Sequence, residues 1–222
     1  MEYLKGELLK TGNPSDSEYA KGIADMLRSR GADIPLPSEF RQFTDREKES
    51  LKNDGAIIYE LNGETILDQM NKGRLFGYVA RGGNRLLRVP SLRTQVAIYL
   101  DPEKFFISNS NKELLAQEKL AERDSQELRD KLGFDSLTVI IPNQASTLTE
   151  LAFKHLDETG VWLFGRGYSY LYGRTNNPVN ETGSNVAHVG NSNPSNGISI
   201  GYWPSRNGSR WVYVVRLIVA IR

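Results

Sequence analysis

The sequence of 222 residues predicts an α+β or α/β domain, a mixed β-sheet with helices packed on at least one face, preceded by a two-helix N-terminal arm. The first reason is a strand–helix–strand pattern, with a β-branched run over 137–141, a helical pattern over 147–158 and a second apolar run over 161–164. The second reason is the apolar run 211–221, which predicts a central strand because an exposed edge so apolar would promote aggregation.

The helical arm is predicted to span residues 1–55. Two Ser/Thr–Glu pairs stand at the capping-box spacing, which satisfies backbone donors at the start of a helix. These pairs are Ser15 with Glu18 and Thr44 with Glu47. We therefore expect one helix over 16–30 and a second from 44 to about 53, joined by a proline-rich linker over 34–37.

The main domain is expected to span 56–222 and to begin with alternating short elements. Strands are predicted over 56–60 and 94–100, and helical turns over 65–70. Two apolar runs, 75–80 and 85–89, are joined by Arg81-Gly82-Gly83-Asn84. Paired glycines followed by asparagine supply the positive φ angles of a tight turn, so this stretch predicts a hairpin.

The second half of the main domain holds two helices and a polar region. A highly charged stretch over 111–131 predicts a long solvent-facing helix with a narrow apolar seam. Thr147 and Glu150 repeat the capping-box spacing and predict the start of the helix over 147–158. Residues 174–210 contain eight asparagines, and within them 186–189 and 198–202 predict short strands between turns.

Composition excludes several kinds of site. The chain has no cysteine, which excludes disulfides, thiolate nucleophiles and cysteine-ligated metals. We expect no cofactor and no metal. The N-terminus lacks the apolar core of a signal peptide, and the apolar run at the C-terminus is shorter than a membrane span of about 20 residues. We therefore expect a soluble, cytoplasmic protein that does not associate with a membrane.

An arginine-rich stretch without acidic residues predicts an anion-binding surface. Between Gln69 and Leu100 the chain has six Lys or Arg residues and no Asp or Glu. Arginine presents a planar fork of donors that suits phosphate or carboxylate. The expected binding residues on the predicted hairpin are Arg81, Arg85, Arg88 and Arg93. The alternative is that these arginines pair with the acids of the helix over 111–131, since surface ion pairs are common.

A tyrosine-rich stretch supplies further candidate binding residues. Alternating tyrosines share one face of a strand, where they could stack against a base or a sugar ring. The candidates are Arg166, Tyr168, Tyr170 and Tyr172. The alternative is a half-buried sheet surface, in which tyrosine is a favoured residue.

The chain has two histidines. His155 falls on the apolar face of its helix and predicts a hydrogen-bonded histidine at the core or its boundary. His188 lies in the polar region and is expected to be exposed. A site formed jointly by His155 and His188 with Glu150 or Asp157 would provide a general base or a two-histidine metal site, but their spacing does not require one.

Residues 95–175 resemble a set of uncharacterised bacterial hypothetical proteins with no assigned activity. The residues that carry this resemblance are 95–98, 108–117, 151–157, 163–165, Arg174 and Thr175. The resemblance implies a bacterial or bacteriophage origin and assigns no catalytic residue.

Two function hypotheses follow. The preferred one is a non-catalytic binding domain that recognises an anionic partner, either phosphorylated or a nucleic acid, through the arginine-rich stretch. A net charge of +1 weakens the case for nucleic acid, because dedicated binders are more basic. The alternative is a hydrolase- or transferase-type enzyme with a site near His155, His188 and Arg166.

Overall fold

The computed structural model describes residues 40–108, 110–164 and 171–222, which form helices and two β-sheets and confirm the α+β class. The helices are α1 (Asp45–Asn53), α2 (Ile66–Asn71), α3 (Asn84–Leu87), α4 (Pro102–Phe105), α5 (Leu114–Leu132) and α6 (Ala145–Thr159). The strands are β1 (Phe40–Arg41), β2 (Ala56–Glu60), β3 (Phe76–Val79), β4 (Gln95–Tyr99), β5 (Leu137–Ile140), β6 (Tyr172–Pro178), β7 (Asn185–Asn193), β8 (Gly197–Pro204), β9 (Val212–Tyr213) and β10 (Leu217–Ile221).

The first sheet is antiparallel and is built around β10. β10 pairs with β4 and β1 and, through residues 217–220, with β5, while β2 extends the sheet beyond β4. The end of the chain is therefore a central strand, as predicted. Its predicted length over 211–221 divides into β9 and β10, which belong to different sheets.

The second sheet is mixed and has the order β3-β8-β7-β6-β9. The pairs β6–β7 and β7–β8 are antiparallel, whereas β3–β8 and β6–β9 are parallel. The strands predicted over 186–189 and 198–202 are confirmed within β7 and β8, which are longer than predicted.

Alternation along β10 shows how the layers stack. Leu217 and Val219 belong to a core shared by α6 and the inner residues of the second sheet, whereas Ile218 and Ala220 belong to a core on the opposite face, formed with α1 and α5. Because successive side chains of a strand point to opposite faces, β10 is covered on both sides and can be apolar throughout.

Capping boxes form where the two side chains bond to each other within one helical turn. Thr44 is the N-cap of α1 and exchanges hydrogen bonds with Glu47 in a capping box. Thr65 and Asp68 do the same at α2. In α5 the predicted seam is also present, with Ala121 and Leu128 buried.

The predicted hairpin over 75–89 is wrong, because its second half forms a helical turn. β3 pairs in parallel with β8 instead of with the segment that follows it. Gly83 has a φ of +54°, and α3 begins directly after it. This turn buries Leu86 completely against Gly82, so the gain from burying leucine favours the helical turn.

The second strand of the predicted strand–helix–strand unit is also wrong. β5 and α6 are present, but residues 161–164 form a bend and a turn, and β5 pairs antiparallel with β10. Leu163 and Phe164 are nevertheless buried. The apolar run therefore indicates burial in the core, and burial alone does not specify a strand.

The capping box predicted from Thr147 and Glu150 is wrong as well. The N-cap of α6 is Gln144, so both residues lie inside the helix. Their side chains reach other parts of the chain: the hydroxyl of Thr147 accepts a hydrogen bond from the backbone N–H of Leu92 at 3.1 Å, and the carboxylate of Glu150 accepts one from the backbone N–H of Asn62 at 2.6 Å.

Residues 40–55 were predicted as part of the arm, but their strand β1 pairs within the first sheet and their helix α1 packs on it. Phe40 and Arg41 pair with β10, and Leu51 of α1 is buried in the core on that side of the sheet. The helix predicted over 16–30 and the linker over 34–37 lie outside the described residues.

Candidate functional site

Residues 81–88, called here the basic segment, carry three exposed arginines on a backbone that is held by the core. The exposed residues are Arg81, Arg85 and Arg88. Just before the segment, the backbone N–H of Ala80 donates to the carbonyl oxygen of Ile200 at 2.8 Å. Leu86 is fully buried between the arginines, so the core fixes the backbone from which they project.

The side chain of Asn177 provides a second attachment for the basic segment. Its Nδ2 donates to the carbonyl oxygen of Arg85 at 2.8 Å, and its Oδ1 accepts from the backbone N–H of Ala145 at 3.0 Å. Asn177 is 2% exposed. One buried amide of β6 therefore links the basic segment to the start of α6.

Two of the six positive charges between Gln69 and Leu100 are engaged in close, hydrogen-bonded ion pairs. Lys72 lies 2.8 Å from the carboxylate of Glu64. Arg74 donates to both carboxylate oxygens of Asp157, one of them at 2.6 Å, and its guanidinium lies over the ring of Phe153. The Arg74 guanidinium lowers the pKa of Asp157 below its ordinary value through these hydrogen bonds.

The other four positive charges are available to a ligand. Arg85 has one carboxylate near it, that of the exposed Glu181 at 3.9 Å. Within the part of the chain that the structure describes, Arg81, Arg88 and Arg93 form no ion pair; Arg88 instead donates from Nε to the side chain of Asn84 at 2.8 Å. Arg93 lies apart from the basic segment, with its side chain against Gly63.

The alternative partner predicted for these arginines, the acidic helix α5, is wrong. Asp124 of α5 forms a paired interaction with Arg216, at 2.6 and 2.7 Å, and Glu118 accepts from Asn176. Neither partner lies between Gln69 and Leu100. Among the described residues, no ion pair joins an acid of α5 to these arginines.

Of the tyrosine-rich candidates, Tyr172 is described and is half-buried. Its ring packs edge-on against the ring of His188, with 4.4 Å between ring centroids. Arg166, Tyr168 and Tyr170 lie outside the described residues, so the stacking surface proposed for them stays a prediction.

His155 is buried, as predicted, and forms a hydrogen-bonded pair with Tyr59. The hydroxyl of Thr159 donates to the carbonyl oxygen of His155 at 2.7 Å, so it can only accept from the imidazole Nε2. Nδ1 then accepts from the hydroxyl of Tyr59 at 2.6 Å. Burial lowers the pKa of His155 and raises that of Tyr59 to about 12, which keeps the pair neutral.

His188 was expected to be exposed, and this expectation is wrong, since it is 8% exposed on β7. Its ring lies directly over Gly201, where any side chain would overlap the imidazole. Burial, together with the positive charge of Arg174, lowers the pKa of His188 to about 4.

The two histidines do not share a site. His155 bonds to Tyr59 and Thr159, whereas His188 contacts Tyr172 and lies close to Arg174. Among the described residues there is also no group of three or more His, Asp or Glu side chains that could hold a metal ion.

Lowering the pH is expected to destabilise the fold through His188. Its folded-state pKa is depressed from 6.5 to about 4, so the unfolded state takes up the proton first as the pH falls. The contribution of neutral His188 to the free energy of unfolding is complete above pH 6.5 and is lost between pH 6.5 and pH 4. The expected loss at pH 5 is about 2 kcal/mol. Urea titrations at low ionic strength should show this loss in the natural chain and a smaller one in H188Q; the same loss in both would contradict the assignment.

Arg174 is the residue that sequence reasoning missed. It is 1% exposed, and its guanidinium donates from Nε to Oε1 of Gln117 at 2.9 Å and from Nη2 to two carbonyl oxygens. These carbonyls belong to Lys112 and Asn207, which are far from Arg174 in sequence. No local pattern around Arg174 predicts burial, because distant loops provide its cover.

The structure also contains a groove of about 380 Å³ between α5 and β5. Its lining is mixed, with Glu118, Glu122 and Arg129 beside the hydroxyls of Ser125 and Thr138. It contains no residue of the basic segment, and its charges include both signs.

No protein-family model, curated protein or solved structure matches this chain. None of the described helices combines the length and the hydropathy that crossing a bilayer requires. The case for a function therefore depends on the geometry of the described residues.

Proposed function

We propose that this protein is a non-catalytic binding protein that recognises a phosphorylated partner through its basic segment. One observation carries the proposal: three exposed guanidiniums project from eight consecutive residues, and among the described residues the one carboxylate within 4 Å of any of them is that of Glu181, 3.9 Å from Arg85. By contrast, Arg41, Arg74 and Arg216 each form a close ion pair with a carboxylate.

The attachment of the basic segment favours binding because little ordering remains to be done. Leu86, Ala80 and Asn177 fix the backbone before a ligand arrives. A ligand then has to order only the arginine side chains, and each ordered side chain costs about 0.5–1.5 kcal/mol.

The spacing of the arginines suits one or two phosphate groups. Arg85 and Arg88 lie three apart around the turn of α3, which places their side-chain stems about 5–6 Å from one another. Two planar forks at that distance can converge on one phosphate. A polynucleotide backbone needs a longer basic track, and the net charge of +1 supplies no excess elsewhere.

A charge-reversal pair with a matched control tests the proposal. R85E/R88E reverses two charges of the basic segment, and R46E/R123E makes the same change in net charge at exposed arginines of α1 and α5. Binding is measured to immobilised pools of phosphoserine peptides, to the same peptides without phosphate, and to a single-stranded oligonucleotide. We expect the phosphopeptides to bind the natural chain, and R85E/R88E to weaken binding by at least about tenfold, since hydrogen bonds to charged groups contribute about 1.5–3 kcal/mol.

R46E/R123E should keep the affinity, and circular dichroism should show both variants folded. An equal loss of affinity in the two variants would show that net charge alone causes the effect, and it would contradict the proposal. Undiminished phosphopeptide binding by R85E/R88E would also contradict it. Tighter binding of the oligonucleotide than of any phosphopeptide would identify nucleic acid as the partner in place of a phosphoprotein.

A further inference from the structure

A buried guanidinium without a carboxylate lies in the second sheet. Arg174 forms no ion pair with any described residue, and the groups that it reaches are the amide oxygen of Gln117 and two carbonyl oxygens. Its Nη1 is buried and has no hydrogen-bond partner in the part of the chain that the structure describes. Both donors of that nitrogen are therefore unused.

A second unused polar atom belongs to the neighbouring strand. Arg174 and His188 are direct partners in the antiparallel pair β6–β7, so their side chains emerge on the same face of the sheet. Nδ1 of His188 is also buried without a partner. The ring is held by Gly201 beneath it and Tyr172 beside it, which restricts where Nδ1 can point.

Unused donors of this kind are unfavourable in a folded protein. Buried polar groups are paired in the great majority of cases, and a buried charge is normally matched by an opposite charge. The amide of Gln117 is itself fixed, because its Nε2 donates to the carbonyl oxygens of Ser110 and Val212 and its Oε1 must face Arg174. The chain thus orients Arg174 firmly and leaves one end of the guanidinium unpaired.

We propose that Arg174 and His188 form an internal binding site for one small monovalent anion, a halide or a carboxylate. Nη1 of Arg174 supplies the charge and two donors. The neutral tautomer of His188 that carries its hydrogen on Nδ1 supplies a third donor. The site lies one layer beneath the surface, since Lys112 and Asn207, whose carbonyls hold Arg174, are both exposed.

The charge of the site selects a monovalent ligand. Arg174 stays protonated at neutral pH although burial lowers its pKa to about 10, and His188, with a pKa of about 4, is neutral. The site therefore offers a single positive charge. A doubly charged phosphate would leave a buried negative charge uncompensated, which separates this site from the phosphate recognition proposed for the basic segment.

Anion-dependent stability provides the test. Urea unfolding midpoints are measured in rising concentrations of sodium chloride, sodium acetate and sodium phosphate, with the ionic strength held constant by a bulky sulfonate. In the natural chain the midpoint should rise with chloride and acetate, and rise less with phosphate. R174M, which keeps an unbranched side chain without charge, should lose the dependence, and H188F, which keeps a planar ring without a donor, should require about tenfold more anion for the same shift.

H188F decides the matter if R174M does not fold, because its altered anion requirement can be measured without that variant. Midpoints that respond equally to chloride, acetate and the sulfonate in the natural chain would overturn the proposal. A stronger response to phosphate than to acetate would overturn the monovalent assignment. Crystals soaked in bromide should show an anomalous peak within hydrogen-bond distance of Nη1, and an ordered water there without bromide would also overturn the proposal.

Discussion

Replacing Gly197 with alanine is expected to lower the free energy of unfolding by about 3 kcal/mol or more. Gly197 has a φ of +75°, a conformation that costs other residues about 1–2 kcal/mol. A methyl group added there would also overlap the backbone carbonyl of Leu75, which cannot rotate away as a side chain can. Relieving that overlap requires a backbone shift, and such overpacking costs about 1–3 kcal/mol more.

Gly183 provides the matched control for this substitution. Its φ is +66°, and a methyl group added there would meet no atom within 4 Å. G183A should therefore cost about 1 kcal/mol, the conformational part alone. Urea denaturation of both variants measures the difference. Equal losses would show that the contact between Leu75 and Gly197 does not constrain β3.

The Gly197 prediction bears on function because β3 leads into the basic segment. The backbone N–H of Ile198 donates to the carbonyl oxygen of Leu75, and β3 pairs with β8 directly after this contact. Shifting the contact should loosen residues 75–88 together. Hydrogen exchange in G197A should therefore be faster over 75–88 than over β10.

Replacing Glu150 with alanine is expected to cost about 3 kcal/mol. The carboxylate is 2% exposed and accepts from the backbone N–H groups of Asn62 and Glu64 and from the hydroxyl of Ser91. A donor left without its acceptor costs about 1–3 kcal/mol, at the lower end for the partly exposed N–H groups of Asn62 and Glu64. Glu150 thus holds the loop after β2 and the loop before β4 against α6.

Two other variants separate this role from a general effect of charge on α6. E150Q keeps one acceptor oxygen and should lose about half as much stability as E150A. E158A removes an exposed carboxylate of the same helix and should change the free energy of unfolding by less than about 0.5 kcal/mol. Equal stability of E150A and E158A in urea denaturation would show that the hydrogen bonds of Glu150 contribute nothing.

The contrast between two capping-box spacings shows where sequence reasoning succeeds. Thr44 and Glu47 bond to each other across one turn, and the predicted start of α1 is confirmed. Thr147 and Glu150 have the same spacing, but distant backbone groups in the loops around Asn62 and Leu92 compete for their side chains. A local pattern predicts a local structure only where no distant partner binds the same atoms.

Apolar runs were predicted as strands more often than the fold uses them. The runs over 85–89 and 161–164 both supply buried residues, Leu86 in one and Leu163 and Phe164 in the other, and neither forms a strand. Four or five apolar residues specify burial, and the surrounding surfaces decide the backbone conformation. The long helix α5 carries more periods of its pattern, and it was predicted correctly. The run over 211–221 was predicted as one strand, but it forms β9 and β10 in different sheets.

The sequence predicted the charges of the candidate site, but it did not predict the backbone conformation that carries them. The absence of acids between Gln69 and Leu100 directed attention to Arg81, Arg85 and Arg88, which are exposed in the structure. The placement of Arg85 and Arg88 around the helical turn α3 depends on the burial of Leu86. Arg174 carried no signal for burial, because Lys112 and Asn207, which accept its hydrogen bonds, are far from it in the sequence.

Nuclear magnetic resonance provides the most direct test of the basic segment as a phosphate-binding surface. A phosphoserine peptide recovered from the binding pools is titrated into labelled protein, and backbone amide and arginine Nε resonances are followed. The largest shifts are expected for residues 81–88 and the Nε resonances of Arg85 and Arg88, with Arg46 and Arg123 unchanged. Shifts confined to other parts of the surface, with residues 81–88 unmoved, would contradict the assignment of phosphate recognition to the basic segment.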